Sequence, residues 1–284
     1  MKYRHAFHAG NFADVHKHVA LLQLIAALQK KPKGFLYIET HAGRGRYDLS
    51  GAEQSEAQGG ILALRTAARL ATSGDPVPHD PALQAYLAAV TGLAGDPHDY
   101  PGSPLLAAQA LRAVDRAICC ELQAPECRAL ERTLEHWPRA RTQHGDGFHA
   151  LSEHLPPVER RALVLIDPPY EEHADFERAL VAIQAALQRL ANATVLLWYP
   201  VKDERDLAPW LARAAAAIGA PLLNLELWRL PRDNSVALNG SGLLVVNPPW
   251  QFDEQATQWQ PELVRLLGAE SRGGSSIRWL VHAQ

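Results

Sequence analysis

Short apolar runs recur along the chain, and several are followed by segments in which apolar residues return every three or four positions. Runs of about four to eight apolar residues are typical of buried strands, and the wider spacing is typical of helices. The runs predict strands over residues 35–39, 117–121, 140–143, 162–166, 194–198, 222–229, 242–246 and 276–281. The spacing predicts helices over residues 125–135, 175–190 and 204–217. This alternation predicts an α/β fold, with a mainly parallel sheet that has helices on both faces.

A helix is also predicted near the start of the chain, beginning at Asn11. Asn is a favoured helix cap, and Asp14 stands three residues later as a partner in a capping box. Apolar residues then return at helical spacing and predict one apolar face. They are Val15, Val19, Leu22, Ile25 and Leu28.

Residues 50–100 have a different character, being rich in Gly, Ala, Pro and Asp. Two helical patterns lie there, over 61–71 and 81–92, and no strand pattern is evident. We interpret the segment as a helical insertion subdomain, with residues 1–49 and 101–284 forming the main domain. Directly after it, Ser103-Pro104 predicts another helix with Ser103 as N-cap.

The tetrapeptide Asp167-Pro168-Pro169-Tyr170 follows the predicted strand 162–166. A nucleobase amine is a poor nucleophile, because its lone pair is delocalised into the ring. The Asp167 carboxylate and the Pro168 carbonyl could hold such an amine, and Tyr170 could stack on a flipped base. A plain turn explains the same residues, since Asp and Pro both favour turns. A second match to the pattern, Asn247-Pro248-Pro249-Trp250, follows the strand 242–246.

Other candidate residues fall at the ends of successive predicted strands, where ligands bind in open α/β sheets. The first strand runs into a turn with Gly43 and Gly45, typical of the first element of a Rossmann-like half. Glu121 ends the second strand, where an acid can bind ribose hydroxyls, although a lone surface acid is an alternative. Asp146 and Gly147 follow the third, where an acid can accept from an adenine amine.

This order distinguishes the two proline motifs. The Asp167 motif follows the fourth strand, which lies beside the first in such a sheet, so we assign catalysis to Asp167. The Asn247 motif follows a strand expected further out, and we interpret it as a structural turn that packs Trp250.

Composition narrows the class of protein further. The chain has 284 residues, of which 47% are hydrophobic, enough for one large domain with an insertion. The net charge is −3, from 28 Lys and Arg against 31 Asp and Glu, so the overall basic balance of many nucleic-acid binders is missing. The basic residues of the first 33 positions could form a local basic face or a solvated helix end.

Three cysteines that lie close together argue against a disulfide framework and favour a reducing cytosol. We expect no metal site from the cysteines or from the N-terminal histidines, because no familiar ligand spacing is present. The start of the chain does not resemble a signal peptide, and no apolar run is long enough to span a membrane.

Taken together, the motifs resemble the bacterial ribosomal large subunit methyltransferase J family, over nearly the whole chain and in the same order. The segment from Tyr3 to His18 and the Thr40–Tyr47 turn are specific to that family. The remaining motifs are Tyr100-Pro101-Gly102-Ser103-Pro104, Leu165–Glu171, Leu197-Trp198-Tyr199-Pro200 and Asn247-Pro248-Pro249-Trp250.

The resemblance implies an S-adenosylmethionine-dependent methyltransferase that modifies the N6 amine of one adenine in 23S ribosomal RNA. It implies Asp167, Pro168 and Tyr170 as catalytic residues, and Tyr3 as a contact of the substrate adenosine. It also implies a set of residues that bind the methyl donor: Lys17, His18, His41, Ser103, Glu121, Asp146 and Gly147. We expect a cytoplasmic, metal-free monomer that does not bind membranes.

Two alternatives stay open at this stage. A DNA adenine or cytosine amino-methyltransferase would share the catalytic motif, but it usually needs a larger target-recognition region than residues 50–100. A non-catalytic RNA-binding or assembly factor on the same fold would lack donor binding, and the intact Asp167 motif argues against it.

Overall fold

The computed structural model describes residues 8–70, 78–233, 238–269 and 271–282, with the backbone alone for residues 52–55. Ten strands lie in this part of the chain: β1 Leu36–Glu39, β2 Arg46–Asp48, β3 Asp99–Pro101, β4 Arg116–Glu121, β5 Ala140–His144, β6 Ala162–Ile166, β7 Thr194–Val201, β8 Leu222–Trp228, β9 Gly240–Val246 and β10 Gly274–Val281. The helices of the same part are α1 Phe12–Gln29, α2 Ile61–Leu70, α3 Pro81–Leu93, α4 Ser103–Ala110, α5 Ala124–Leu134, α6 Gly147–His154, α7 Ala174–Arg189, α8 Glu204–Ile218 and α9 Phe252–Leu266.

Eight strands form one sheet in the order β10-β8-β9-β7-β6-β1-β4-β5. The five strands from β7 to β5 in this order run parallel, and β9, β8 and β10 join through antiparallel pairs. Every strand that the apolar runs predict is present, with ends that shift by a few residues. The predicted α/β class with a Rossmann-like sheet is therefore confirmed.

The sheet is covered on both faces by helices, because its strands send alternate side chains to two separate hydrophobic clusters. In β1, Tyr37 enters one cluster, and Leu36 and Ile38 enter the other. The first cluster is shared with α1, α3, α4 and α9, and the second with α6, α7 and α8. Sequence periodicity did not identify α6, which is short, or α9, which contains Pro261 and many polar residues.

Helix α1 is more deeply buried than its sequence pattern predicts. All ten residues from Phe12 to Leu21 are buried, so the prediction of a single apolar face was wrong. The helix packs against α3, α4, α9 and β9, which surround it. The cap differs too: Asn11 Oδ1 accepts from Ala13 and Asp14, as expected, but Asp14 Oδ2 accepts from Gly10 N at 3.0 Å rather than closing a capping box.

Helix α4 begins at Ser103, but its N-cap is Gly102 rather than the predicted Ser103. The Ser103 hydroxyl is not available for capping, because it donates a hydrogen bond to Glu39 at the end of β1. Ser103, which we predicted as a helix cap, therefore belongs to a buried hydrogen-bond network with Glu39 and Tyr37.

The described residues between 50 and 100 form a 3₁₀ helix, Ala52–Gly59, followed by α2 and α3. The antiparallel pair β2–β3 closes this segment, and its three-residue strands were too short to give a sequence pattern. Side chains of the segment enter the same hydrophobic cluster as α1, among them Ile61, Leu83 and Tyr86. The division into a main domain and an insertion subdomain stays a prediction.

The second proline motif lies away from the ends of the parallel strands. Strand β9 is antiparallel to β7, so Asn247 follows β9 at the opposite edge of the sheet. The Asn247 amide donates to Ala191 O and Ala193 O, both at 2.9 Å, as a structural turn would. Trp250 is 84% exposed, so the expectation that this turn packs Trp250 was wrong.

None of the helices in the described ranges is long and apolar enough to cross a membrane.

Gly242 provides a test of packing on β9. A Cβ at this position would lie 2.1 Å from the ring of Tyr199. We expect Gly242→Ala to lower the free energy of unfolding by about 1–3 kcal/mol through overpacking, measured by urea denaturation. Gly92→Ala is the control, because its Cβ would meet only Gln109, at 3.7 Å. An equal loss in both variants would contradict the packing explanation.

Candidate active site

The parallel strands bring the predicted site residues to one edge of the sheet. His41 follows β1, Glu121 ends β4, Asp146 and Gly147 follow β5, and Asp167 follows β6. Since β1 lies between β4 and β6, these strand ends are neighbours. The ordering inferred from the sequence is thus reproduced in the three-dimensional arrangement.

Asp167 is paired with a lysine from helix α1. Lys17 Nζ donates to Asp167 Oδ2 and lies 2.9 Å from Asp14 Oδ1. Only 4% of the Lys17 side chain is exposed. Burial by itself lowers the pKa of Lys17, but Asp14 and Asp167 together raise this pKa well above its usual value. A buried ammonium thus joins two carboxylates, as the removal of a charge from water requires.

A cavity of about 340 Å³ opens beside this ion pair, and we call it the acceptor cavity. Its walls include Lys17, Asp167, Pro169, Tyr170 and Trp198. Its volume is within the usual range of small-molecule sites. Pro168 is buried and is not among the lining residues, and its predicted contact with the amine involves only its backbone carbonyl.

Tyr170 is held in a conformation that bulky residues rarely adopt. Its φ is 50°, in the left-handed region. The hydroxyl donates to Trp198 O at 2.7 Å, and the ring packs 4.4 Å from that of Phe176, measured between centroids. These contacts fix the ring at the cavity wall. Backbone strain kept in place by its surroundings is common where a side chain must be aimed.

The glycine turn after β1 is tied to the acid that ends β4. Gly43 N donates to Glu121 Oε2 at 2.9 Å, and Gln123 N donates to Glu121 Oε1 at 2.7 Å. Gly43 and Gly45 have φ values of 62° and 76°, which side chains disfavour. Each carboxylate oxygen keeps a second lone pair, so Glu121 can still accept from ribose hydroxyls.

The rings of His41 and Phe148 meet edge to face next to Asp146, with an angle of 73° between their planes. Their ring centroids are 5.0 Å apart, and burial lowers the pKa of His41 to about 4, so this imidazole is neutral near pH 7. Asp146 accepts from Phe148 N at 2.9 Å and caps α6. Glycine is needed at position 147 for packing, because a Cβ there would lie 2.0 Å from Thr40 O.

Together these residues fit S-adenosylmethionine by their chemistry. Glu121 and Asp146 supply acceptors for the hydroxyls and the amine of an adenosine, and the neighbouring rings of His41 and Phe148 supply aromatic surface for its base. The glycine turn lets a ligand approach the backbone.

The Ser103 hydroxyl and one ring nitrogen of His18 make hydrogen bonds within the protein. Ser103 donates to Glu39, and His18 Nδ1 lies 2.8 Å from the Tyr100 hydroxyl. Both side chains are buried, and neither lines the acceptor cavity. Tyr3 lies outside the described residues.

Three residues at the site were not selected from the sequence as site residues. Glu39 is a buried acid at the end of β1, a position equivalent to that of Glu121 on β4. Asp14 is one helical turn before Lys17, and Trp198 lies in the strand beside β6. For Glu39 and Asp14 the available signal was an acid at a strand end or at ion-pair spacing on a helix.

Within the described ranges, no group of three or more His, Cys, Asp or Glu side chains could hold a metal ion. Cys119, Cys120 and Cys127 are free thiols and are buried.

The sheet order, the acids at successive strand ends and the Asp-Pro-Pro-Tyr turn beside a cavity define an S-adenosylmethionine-dependent methyltransferase with a Rossmann-like fold. The family model described as "Ribosomal RNA large subunit methyltransferase D, RlmJ" matches residues 32–281. The chain therefore belongs to the ribosomal RNA large subunit methyltransferase J family, and the resemblance read from the motifs is confirmed.

Two relatives and one solved structure support this assignment. Ribosomal RNA large subunit methyltransferase J of Escherichia coli K12 is 37% identical over 283 residues, and that of Haemophilus influenzae is 35% identical over 284; each alignment covers 99% of both chains. The crystal structure of protein LPL1258 from Legionella pneumophila has a TM-score of 0.85 and 30% identity, covering 96% of this chain and 98% of that one.

Glu39 predicts a specific pH dependence of stability. Burial raises its pKa to about 7, although the Ser103 and Tyr37 hydroxyls, which donate to it, act in the opposite direction. The folded state then binds this proton more tightly than the unfolded state, so the contribution of Glu39 to stability falls as the pH rises from about 4.5 to 7.

We expect Glu39→Gln to remove this pH-dependent loss of stability, because glutamine does not ionise. The stability of the variant relative to the wild type should increase by roughly 2 kcal/mol between pH 5 and pH 8, measured by urea unfolding without S-adenosylmethionine. Glu159→Gln is the control, because hydrogen bonds from Arg116 lower the pKa of Glu159 and keep it ionised over this range. If the stability difference between Glu39→Gln and the wild type stayed constant with pH, the pKa of Glu39 would not be raised in the folded protein.

Proposed function

We propose that this protein transfers a methyl group from S-adenosylmethionine to the N6 amine of one adenine in 23S ribosomal RNA. The observation that carries the proposal is the Asp167 carboxylate, held by Lys17 at the mouth of a cavity walled by Tyr170. It lies at the same sheet edge as Glu121 and Asp146. Membership in the ribosomal RNA large subunit methyltransferase J family supports the substrate class.

In this proposal one set of residues holds the methyl donor at the ends of β1, β4, β5 and β6. S-adenosylmethionine supplies the methyl group on a sulfonium, from which it can leave a neutral thioether behind. Glu121 binds the ribose hydroxyls, and Asp146 accepts from the adenine amine. The complete donor set is Lys17, His18, His41, Ser103, Glu121, Asp146 and Gly147.

A second set holds the acceptor. Tyr170 gives the flipped or unpaired adenine a surface to stack on, which is worth about 1–3 kcal/mol per base. Asp167 and the Pro168 carbonyl accept hydrogen bonds from N6, and Tyr3 contacts the nucleoside from the N-terminal arm. Holding the amine in line with the methyl group is itself a large part of such catalysis.

The ion pair with Lys17 fixes the position of the Asp167 carboxylate. In that position the carboxylate accepts a hydrogen bond from the N6 amine and orients it toward the methyl group. Methylation of N6 releases one proton, which the adjacent carboxylate or water accepts.

The other candidate functions have less support. A DNA amino-methyltransferase would use the same turn, but the family assignment points to ribosomal RNA. A non-catalytic assembly factor has no need of a lysine-paired carboxylate at a cavity. We further propose that the enzyme acts in the cytoplasm as a monomer and without a metal ion, since the leaving group needs no Lewis acid.

The test is methyl transfer from labelled S-adenosylmethionine to unmodified 23S ribosomal RNA, with the product nucleoside identified by mass. We expect N6-methyladenosine from the wild type, and a rate about 10²–10³-fold lower for Asp167→Ala, because one preorganised electrostatic contact is lost. Trp250→Ala, in the exposed second proline motif, should retain the wild-type rate.

Two results would contradict the proposal. Labelling of duplex DNA but not of ribosomal RNA would assign the protein to the first alternative. A folded Asp167→Ala protein with near-normal turnover would remove Asp167 from the chemistry.

A further inference from the structure

Trp198 has a position in the acceptor cavity that none of the roles above explains. It lies on β7, the strand next to β6, and its side chain lines the cavity together with Asp167 and Tyr170. The ring centroids of Trp198 and Tyr170 are 5.7 Å apart, and the ring planes meet at 63°. The two aromatic side chains therefore form a corner.

We propose that Trp198 is a positioning residue for the acceptor base, and that a buried polar chain through Ser241, His16 and Gln260 fixes its indole. This inference rests on the proposed function and adds a specificity element to the same site. The occupant is a flat nucleobase in the acceptor cavity.

The geometry of the corner explains how Trp198 would act. A base that stacks on Tyr170 lies parallel to that ring and presents its edge to the indole at about the angle between the two rings. The indole then limits how far the base can slide across Tyr170. That limit sets the distance from N6 to Asp167, and a misplacement of about 1 Å can cost 10²-fold in rate.

The indole is anchored by hydrogen bonds from behind the cavity. Trp198 Nε1 donates to Ser241 Oγ at 3.0 Å, and His16 Nδ1 lies 3.0 Å from the same oxygen. Gln260 Nε2 lies 2.8 Å from His16 Nε2. Strand β7 is thereby linked through β9 and α1 to α9.

The protonation of His16 follows from its surroundings. Burial lowers the pKa of His16 to about 3, so the ring is neutral and carries one N–H. Each ring nitrogen of His16 has one hydrogen-bond partner, Gln260 Nε2 at Nε2 and Ser241 Oγ at Nδ1. Ser241 Oγ also accepts from Trp198 Nε1, so its position is held from two sides.

The surroundings of Ser241 leave it little freedom. Ser241 and His16 are both fully buried. Gly240 and Gly242 flank the serine. A Cβ at position 240 would lie 2.6 Å from Leu227 O, and a Cβ at position 242 would lie 2.1 Å from the Tyr199 ring. A buried polar chain adds little net stability over apolar side chains of the same shape, so fixing a direction is the better explanation for it.

The side chain of Trp198 can be tested apart from its backbone. Its carbonyl accepts from the Tyr170 hydroxyl, and a side-chain substitution does not remove this backbone acceptor. Trp198→Phe therefore removes the indole edge and its N–H but leaves Tyr170 in place. Ser241→Ala removes only the anchor.

The experiment is a double-mutant cycle on the single-turnover rate of methyl transfer to 23S ribosomal RNA, at saturating RNA and S-adenosylmethionine. We expect Trp198→Phe to lower this rate at least about tenfold. Ser241→Ala should lower it about threefold, and the double variant should equal Trp198→Phe, because the serine acts through the indole. The affinity for S-adenosylmethionine, measured by calorimetry, should stay within about twofold of the wild type in all three.

Trp279→Phe is the matched control. Its indole also donates to a side chain, Asp253 Oδ2 at 3.0 Å, but it lies on β10 at the far edge of the sheet. We expect this variant to retain the wild-type rate, and thermal unfolding should show that every variant is folded.

Several results would overturn the inference while leaving the proposed function intact. They are a wild-type rate in Trp198→Phe, fully additive losses in the double variant, or a loss of S-adenosylmethionine affinity that accounts for the rate. A wild-type protein that makes no N6-methyladenosine would instead refute the proposed function, and this inference with it.

Discussion

The ion pair between Lys17 and Asp167 is the interaction on which the rest of the site depends. It crosses from α1 to the end of β6, so it fixes the helix against the edge of the sheet where the acids of successive strands lie. Asp14 completes the pair, and the charge of the buried ammonium is balanced by two carboxylates. Removing one member of such an ion group costs more free energy than its formation gains, because a buried charge is left without a partner.

The burial of α1 follows from this arrangement and explains its unusual composition. A helix that must deliver a lysine to the sheet edge is covered on all sides, and its polar residues need partners inside the protein. They find them in different elements: Tyr100 for His18, Ser241 and Gln260 for His16, and Trp259 and Gln255 for Gln23. The periodicity of the sequence reflects only the apolar positions, and it therefore predicted an ordinary amphipathic helix.

The same contrast describes how far the sequence could predict the molecule. Strands and the order of acids at their ends were predictable, because buried runs and strand-end placement are local properties. The partners of Lys17, the role of Ser103 and the exposure of Trp250 were not, since each depends on residues far apart in the chain. The short strands β2 and β3 have too few residues to show alternation, and Glu39 was passed over as part of its strand.

The contacts of α1 also have a consequence for the synthesis of the protein. Gln23 and His16 are joined to Gln255, Trp259 and Gln260 of α9, more than 225 positions further along the chain. Helix α1 is therefore packed on all sides only when α9 is in place. Most of the described chain is synthesised between these two helices, so the surroundings that hold Lys17 at the sheet edge are completed late in synthesis.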